Sequence, residues 1–210
     1  MKKGKVLSFK GCNRLVGFII ENNLLIILSL FFIAGLCFGV FTFDKYDFLK
    51  EFSGGYIEDF INSRTDYSFL HITFSSFFDS LLFVLVVFAF GASLLGIVFV
   101  PLAVCFKGYI FGCIAALLYS EYALKGVAFH AVIILPASIV FLIAFILCAL
   151  ESVRFSLILA KLTFPTCVPQ NLSYVFKNYC SRYLLYCLII LFSALIDALI
   201  STNFLNRFSL

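Results

Sequence analysis

The chain has 210 residues, 63% of them hydrophobic and 12% charged. Soluble domains carry roughly 25% charged residues, and a chain this apolar could not cover its own surface with polar groups in water. The composition excludes an ordinary soluble domain and predicts a single all-α, polytopic transmembrane helical bundle of about five helices, residues 1–210, with lipid as its solvent; the net charge of +4 is small and unevenly placed.

Lys2, Lys3, Lys5, Lys10 and Arg14 all precede the first apolar run. A nucleic-acid arm can begin this way, but basic residues directly ahead of a long apolar segment read as a topogenic tail, so 1–23 is expected to be cytoplasmic and no nucleic-acid partner is expected. The run 22–43 is longer than the apolar part of a signal peptide and no A-x-A site follows it. It contains AGLC ending at Cys37, yet Leu36 is too large for lipoprotein cleavage. The run is therefore expected to stay as an anchor, with a helix over 24–43. About 20 apolar residues at 1.5 Å each cross the hydrocarbon core.

Residues 44–79 differ in character. They hold Asp44, Asp47, Glu51, Glu58, Asp59, Asp66 and Asp79 against Lys45, Lys50 and Arg64. This acidic segment is expected to be a helix, a break near Ser53-Gly54-Gly55-Tyr56, and a second helix, all outside the membrane.

The next uncharged stretch, 80–106, is long enough for a tilted crossing that kinks or stops at Pro101. Lys107 then interrupts it. From 108 onward only 13 residues are uncharged, a reach of about 20 Å. The third crossing, 108–122, must recruit its flanks past Glu121 or back through Lys107 towards Pro101, or else form a re-entrant hairpin. A fourth crossing is expected at 126–150 with Pro136 near its middle. A cytoplasmic connection follows at 151–182, whose first part extends from the membrane or lies on it until Pro165 and Pro169 break it. The fifth crossing, 183–200, carries Asp197. With the N-terminus inside, the basic residues concentrate on the cytoplasmic side, which places the C-terminus and the acidic segment outside.

Ionisable groups within a bilayer are costly and so are candidate sites. Asp197 is read three ways: a proton or cation site, a partner for a basic residue on another helix, or a hydrated group near the outer interface. Glu151 and Arg154 form an i, i+3 pair at the cytoplasmic end of the fourth crossing. His130 lies one turn into that crossing. Gly108 and Gly112 make a GxxxG within KGYIFG, and Gly91, Ala92, Ser93 and Gly96 give the second crossing a small face; both predict close helix contacts within the bundle. The eight cysteines form no CxxC and no Cys/His cluster, and they read as small apolar packing residues. No Walker A, GxSxG, HExxH or GxGxxG motif is present, so neither catalysis nor a cofactor nor a metal is expected.

Three stretches together resemble the stage II sporulation protein M family of bacterial membrane proteins. They are VPLAVCFKGYIFGCIAALLY, the long run KGVAFHAVIILPASIVFLIAFILCALESVRFSLILAK, and LIILFSALIDALIS. The family pattern has Lys or Asn followed by Gly between its second and third helices, matched by Lys107 and Gly108, with a second glycine one turn on at Gly112. A Leu-Pro pair in the fourth helix corresponds to Leu135 and Pro136. Ser193, Ala194 and Asp197 match the closing signature, where the family more often has Glu at the last place. The resemblance covers 80–201 well; the first helix and the acidic segment match in length and character. It implies a non-enzymatic integral membrane protein of the bacterial cytoplasmic membrane. In spore formers, such proteins hold two peptidoglycan-remodelling partners, stage II sporulation proteins D and P, at the septal membrane during engulfment. A transporter or permease subunit is the alternative, motivated by Pro136, Asp197, Glu151, Arg154 and the short third crossing.

Overall fold

A computed structural model describes residues 23–65, 68–163 and 172–204. The basic residues of the N-terminal tail, Pro165, Pro169 and Arg207 lie outside them. The described residues are helical, with no strand: α1 (Asn23–Phe43), α2 (Asp47–Thr65), α3 (Phe69–Gly91), α4 (Gly96–Phe129), a π-turn (His130–Ile134), α5 (Leu135–Thr163) and α6 (Leu172–Phe204). Among them, four stretches are long and apolar enough to cross a membrane: α1, α3, the run Gly96–Leu162, and α6. The third is 67 residues long and makes two crossings. Ala123, at φ 46° and ψ −127°, folds α4 back on itself. Beyond that fold Gly126 packs on the carbonyl of Leu118, Tyr119 meets His130, and Lys107 meets Phe141. The protein is thus a multi-pass bundle of five crossings, with α2 packed on one end.

The first tight contact is between α1 and α4. A Cβ on Gly35 or Gly39 would run into the backbone of Cys105 or Tyr109, and one on Gly108 or Gly112 into that of Phe32 or Leu36. Each helix presents a GxxxG to the other. The register rises together on both helices, so the two run parallel. Lipid tails are as apolar as leucine, so close approach of backbones and the dispersion contacts it permits hold helices together in a membrane. Cys113 Sγ adds a 3.6 Å contact to the Gly39 carbonyl in the same seam. α3 and α5 also run parallel, with Phe83 level with Phe141 beside Lys107 and Gly91 against Ser152, whereas α6 is antiparallel to both. Ser193 Oγ on α6 donates to the Ala137 carbonyl on α5 at 2.7 Å, and Tyr183 Oη donates to the Cys148 carbonyl at 3.1 Å. Tyr179 Oη on α6 donates to the Phe88 carbonyl on α3 at 3.1 Å. With five alternating crossings, Asn23 and Phe204 sit at opposite ends of the bundle. The core along its axis contains Val87, Val104, Phe145, Cys148 and Ile190, all fully buried.

Several boundaries differ from the sequence reading. The uncharged stretch 80–106 is not one crossing: it is the second half of α3, a turn, and the first part of α4. The turn sits at Ala92–Leu95, where Ala92 and Ser93 amides close onto the carbonyls of Phe88 and Phe90. Gly91 and Gly96 flank it, and a Cβ on Gly91 would strike Ser152 and Tyr179. The small residues expected to line one face of a helix instead make the turn and let it press on α5 and α6. Consequently α3 begins at Phe69, and 69–79 belongs to a crossing, not to the external segment. The third crossing is of full length because it reaches back through Lys107 beyond Pro101; from Gly96 to Ala123 it spans about 40 Å. Pro101 neither stops nor breaks it. At the sixth residue it lies so near the helix start that little intrahelical bonding is lost.

Two further differences follow. α2 runs without a break through Ser53-Gly54-Gly55-Tyr56, because Ser53, Ile57, Phe60 and Arg64 recur at helical spacing on the face that docks on the bundle. The first part of the expected 151–182 connection continues α5 to Thr163, and its last part starts α6 at Leu172. Pro136 is absorbed by the π-turn immediately before it. A proline cannot donate to the carbonyl four residues back, and the widened turn accommodates that lost bond.

Candidate functional site

A cavity of about 360 Å³ lies between α2, α3, α4, α5 and α6. α2 roofs it with Tyr56, Phe60 and Arg64. Its walls carry Ser76, Asp79 and Ser80 from α3, Lys107 from α4, Ser138 from α5, and Ser193 and Asp197 from α6. Phe83, Phe111 and Phe141 supply much of the apolar surface. Four charged groups therefore face one space within the bundle.

Arg64 and Asp197 form the upper pair. Arg64 Nη2 donates to Asp197 Oδ2 at 2.6 Å and to Ser76 Oγ at 2.9 Å, while Ser76 Oγ donates to the same carboxylate oxygen at 2.5 Å. Arg64 Nη1 reaches the Phe60 carbonyl at 3.2 Å, and the guanidinium lies 3.5 Å from the centre of the Phe60 ring. Both side chains are nearly buried, at 8% and 10% exposure. A planar guanidinium that donates to several acceptors and stacks on an aromatic face suits such a place. Of the three readings of Asp197, the geometry is that of a partner for a basic residue on another helix. Asp197 is not a hydrated interfacial group.

The lower pair is different. Lys107 is eleven residues into α4, about 16 Å along its axis, and Asp79 is ten residues into α3, about 15 Å along its own. Both are at mid-height, not at an interface where the sequence reading places Lys107. The Lys107 ammonium sits 3.8 Å from the Phe83 ring centre, 5.3 Å from that of Phe141 and 5.5 Å from that of Phe111. Aromatic faces attract a cation through their quadrupole, more so when water is absent.

The other sequence-designated residues lie elsewhere. Gly108 and Gly112 face α1, away from the cavity. His130 Nδ1 and Tyr119 Oη share a 2.7 Å hydrogen bond beside the Ala123 fold. Pro136 adjoins the cavity-lining Ala137 and Ser138 without lining the space itself. Glu151 pairs with Arg154 at 3.3 Å as its spacing predicts, and also with Arg182 of α6 at 2.6 Å. That pair and the cavity are at different heights. Between them, Ser152 joins the hydroxyls of Tyr179 and Tyr183, and Phe88 stacks on Tyr179 with ring centres 5.0 Å apart. This aromatic and hydroxyl layer closes the end of the bundle opposite α2.

Arg64, Ser76 and Asp79 escape the sequence reading as site residues because the segment holding them reads as external. The available signal is spacing. Asp79 and Ser80 lie three and four residues after Ser76, a polar stripe on an otherwise apolar helix.

A family model described as stage II sporulation protein M matches residues 13–202, nearly the whole chain. No curated protein and no solved structure matches it.

Proposed function

The chain belongs to the stage II sporulation protein M family, and on that premise we propose that it is a non-enzymatic membrane scaffold. It anchors and localises peptidoglycan-remodelling partners, of the kind of stage II sporulation proteins D and P, at the septal membrane during engulfment. The observation that supports this reading is the attachment of α2. One face of the helix is tied to the bundle through Ser53, Ile57 and Arg64, while Asp47, Phe48, Glu51, Glu58 and Asp59 are exposed on the other. A helix held in this way is a fixed platform for a partner.

The orientation in this proposal has the N-terminus and the α5–α6 connection in the cytoplasm. Arg154, Lys161, Lys177 and Arg182 all lie towards that end, as the positive-inside rule requires. α2 then faces the wall. Capture of the intact protein from detergent extracts of engulfing cells tests the role. Recovery of cell-wall-degrading partners, lost when Glu51, Glu58 and Asp59 are replaced by lysine, is expected. Recovery without any envelope partner, or even distribution round the cell at all stages, would overturn it.

The cavity favours a second reading, a permease subunit, because intramembrane charges around a space line substrate paths. Asp79→Asn and Lys107→Gln are the informative variants, since Asp197 is committed to Arg64. If both left reconstituted flux unaltered, the permease reading would fail.

A further inference from the structure

The four charges of the cavity sum to zero, but only two are matched by contact. Arg64 and Asp197 neutralise each other. Lys107 and Asp79 both line the space, yet the ion pairs within 4.0 Å among the described residues leave both out. The three rings round Lys107 stabilise its charge and offer no acceptor to its three N–H groups. The Asp79 carboxylate is exposed at mid-height of α3. In water that is unremarkable, whereas at the centre of a bilayer a carboxylate needs a counter-charge or a wet cavity.

We propose that this cavity binds a zwitterion of lipid-headgroup size, its anionic group on Lys107 and its cationic group on Asp79. Charge balance selects this class. A net anion would satisfy Lys107 and be repelled by Asp79; a net cation would do the reverse; either would leave an uncompensated charge in a low-dielectric space. A molecule carrying both charges leaves the sum at zero and fills both gaps. The volume of about 360 Å³ falls in the range of ligand pockets, and Ser80 and Ser138 add hydroxyls for a phosphate or carboxylate. Asp79 and the 63% exposed Leu82 both border the space. The cavity therefore opens on the flank of the bundle, towards the acyl chains, and a headgroup can enter while its tails stay in lipid. A phosphodiester of ethanolamine carries the required chemistry, as a lipid headgroup or as the free solute glycerophosphoethanolamine. Occupancy of this site is separate from the anchoring role and stands whether or not α2 holds a partner.

Native mass spectrometry of the purified full chain in neutral detergent tests this, with phosphatidylethanolamine, phosphatidylglycerol and free glycerophosphoethanolamine as probes. Retention of phosphatidylethanolamine roughly tenfold above phosphatidylglycerol is expected, falling to the phosphatidylglycerol level in Lys107→Gln and in Asp79→Asn. Competition by free glycerophosphoethanolamine would identify a soluble ligand, and its failure to compete would identify the lipid; each supports the site. Thermal protection of the unsubstituted protein by phosphatidylethanolamine and not by phosphatidylglycerol gives the same answer should a variant fold poorly. Equal retention of the two lipids, unchanged retention in both variants, or a lipid-free dimer that buries Asp79 would overturn the proposal.

Discussion

Arg64 and Asp197 stand 133 residues apart in the chain and meet at 2.6 Å, so that one ion pair fastens α2 to the last crossing. Removing one partner of a buried pair leaves the other charge uncompensated, at a cost of about 3–5 kcal/mol. Arg64→Leu and Asp197→Asn are each expected to lower the melting temperature in detergent sharply. Combining Arg64→Leu with Asp197→Asn is expected to recover much of the loss, because no orphan charge remains. Asp197→Glu keeps the charge and is expected to be the mildest change. A double-mutant cycle followed by thermal unfolding checks this; additive losses would contradict it.

The glycines separate into two classes by what surrounds them. Gly35, Gly39, Gly108 and Gly112 face backbone atoms of the partner helix. Alanine at any of them is expected to cost about 1–3 kcal/mol through overpacking. At Gly54 and Gly55 on α2 an added Cβ would meet no atom within 4 Å. Alanine there is expected to stabilise by roughly 0.5–1 kcal/mol each, the helix propensity difference. Opposite shifts in melting temperature for the two classes would be the decisive result.

Tyr183 donates to the Cys148 carbonyl and shares the Ser152 hydroxyl. Tyr183→Phe leaves those buried groups short of a partner and is expected to cost about 1–3 kcal/mol. Arg182 also joins α6 to α5, through Glu151, but it is 52% exposed. Arg182→Ala is expected to cost less than about 1 kcal/mol. Equilibrium unfolding of the two variants side by side measures the ratio.

Ala123 carries a positive φ of 46° at the fold of α4. A left-handed backbone is unfavourable for a residue with a Cβ, and glycine removes that strain, with a gain of about 1 kcal/mol. Ala123→Gly is expected to raise the melting temperature, and Ala123→Val to lower it.

The helical class, the number of crossings and the extent of the first are legible in the sequence because each needs only an apolar run of sufficient length. The second and third crossings are not. Asp79 and Lys107 look like interface markers, since charges ordinarily sit at membrane edges. Here they face a cavity at mid-height, and the true turn is hidden in the uncharged Ala92–Leu95. Two glycines five apart with a serine between them are the available sign. The GxxxG at Gly108 and Gly112 stands out, yet its counterpart at Gly35 and Gly39 has the same spacing and is lost within a uniformly apolar helix. The partner of Asp197 is beyond reach. Pairing over such a separation depends on the third dimension, and Arg64 is one of several basic residues in a segment that reads as solvated.

The parallel seam of α1 and α4 has a consequence for how the protein is made. Parallel neighbours cannot be consecutive crossings, so α1 enters the membrane well before the helix that fits it. Until α4 arrives, the grooved face at Gly35 and Gly39 is open to any helix with a matching groove, including α1 of another nascent copy. Speed of synthesis through α2 and α3 thus governs how long the first helix waits. A stalled or truncated chain ending before Gly108 exposes a surface that membrane quality-control proteases can recognise.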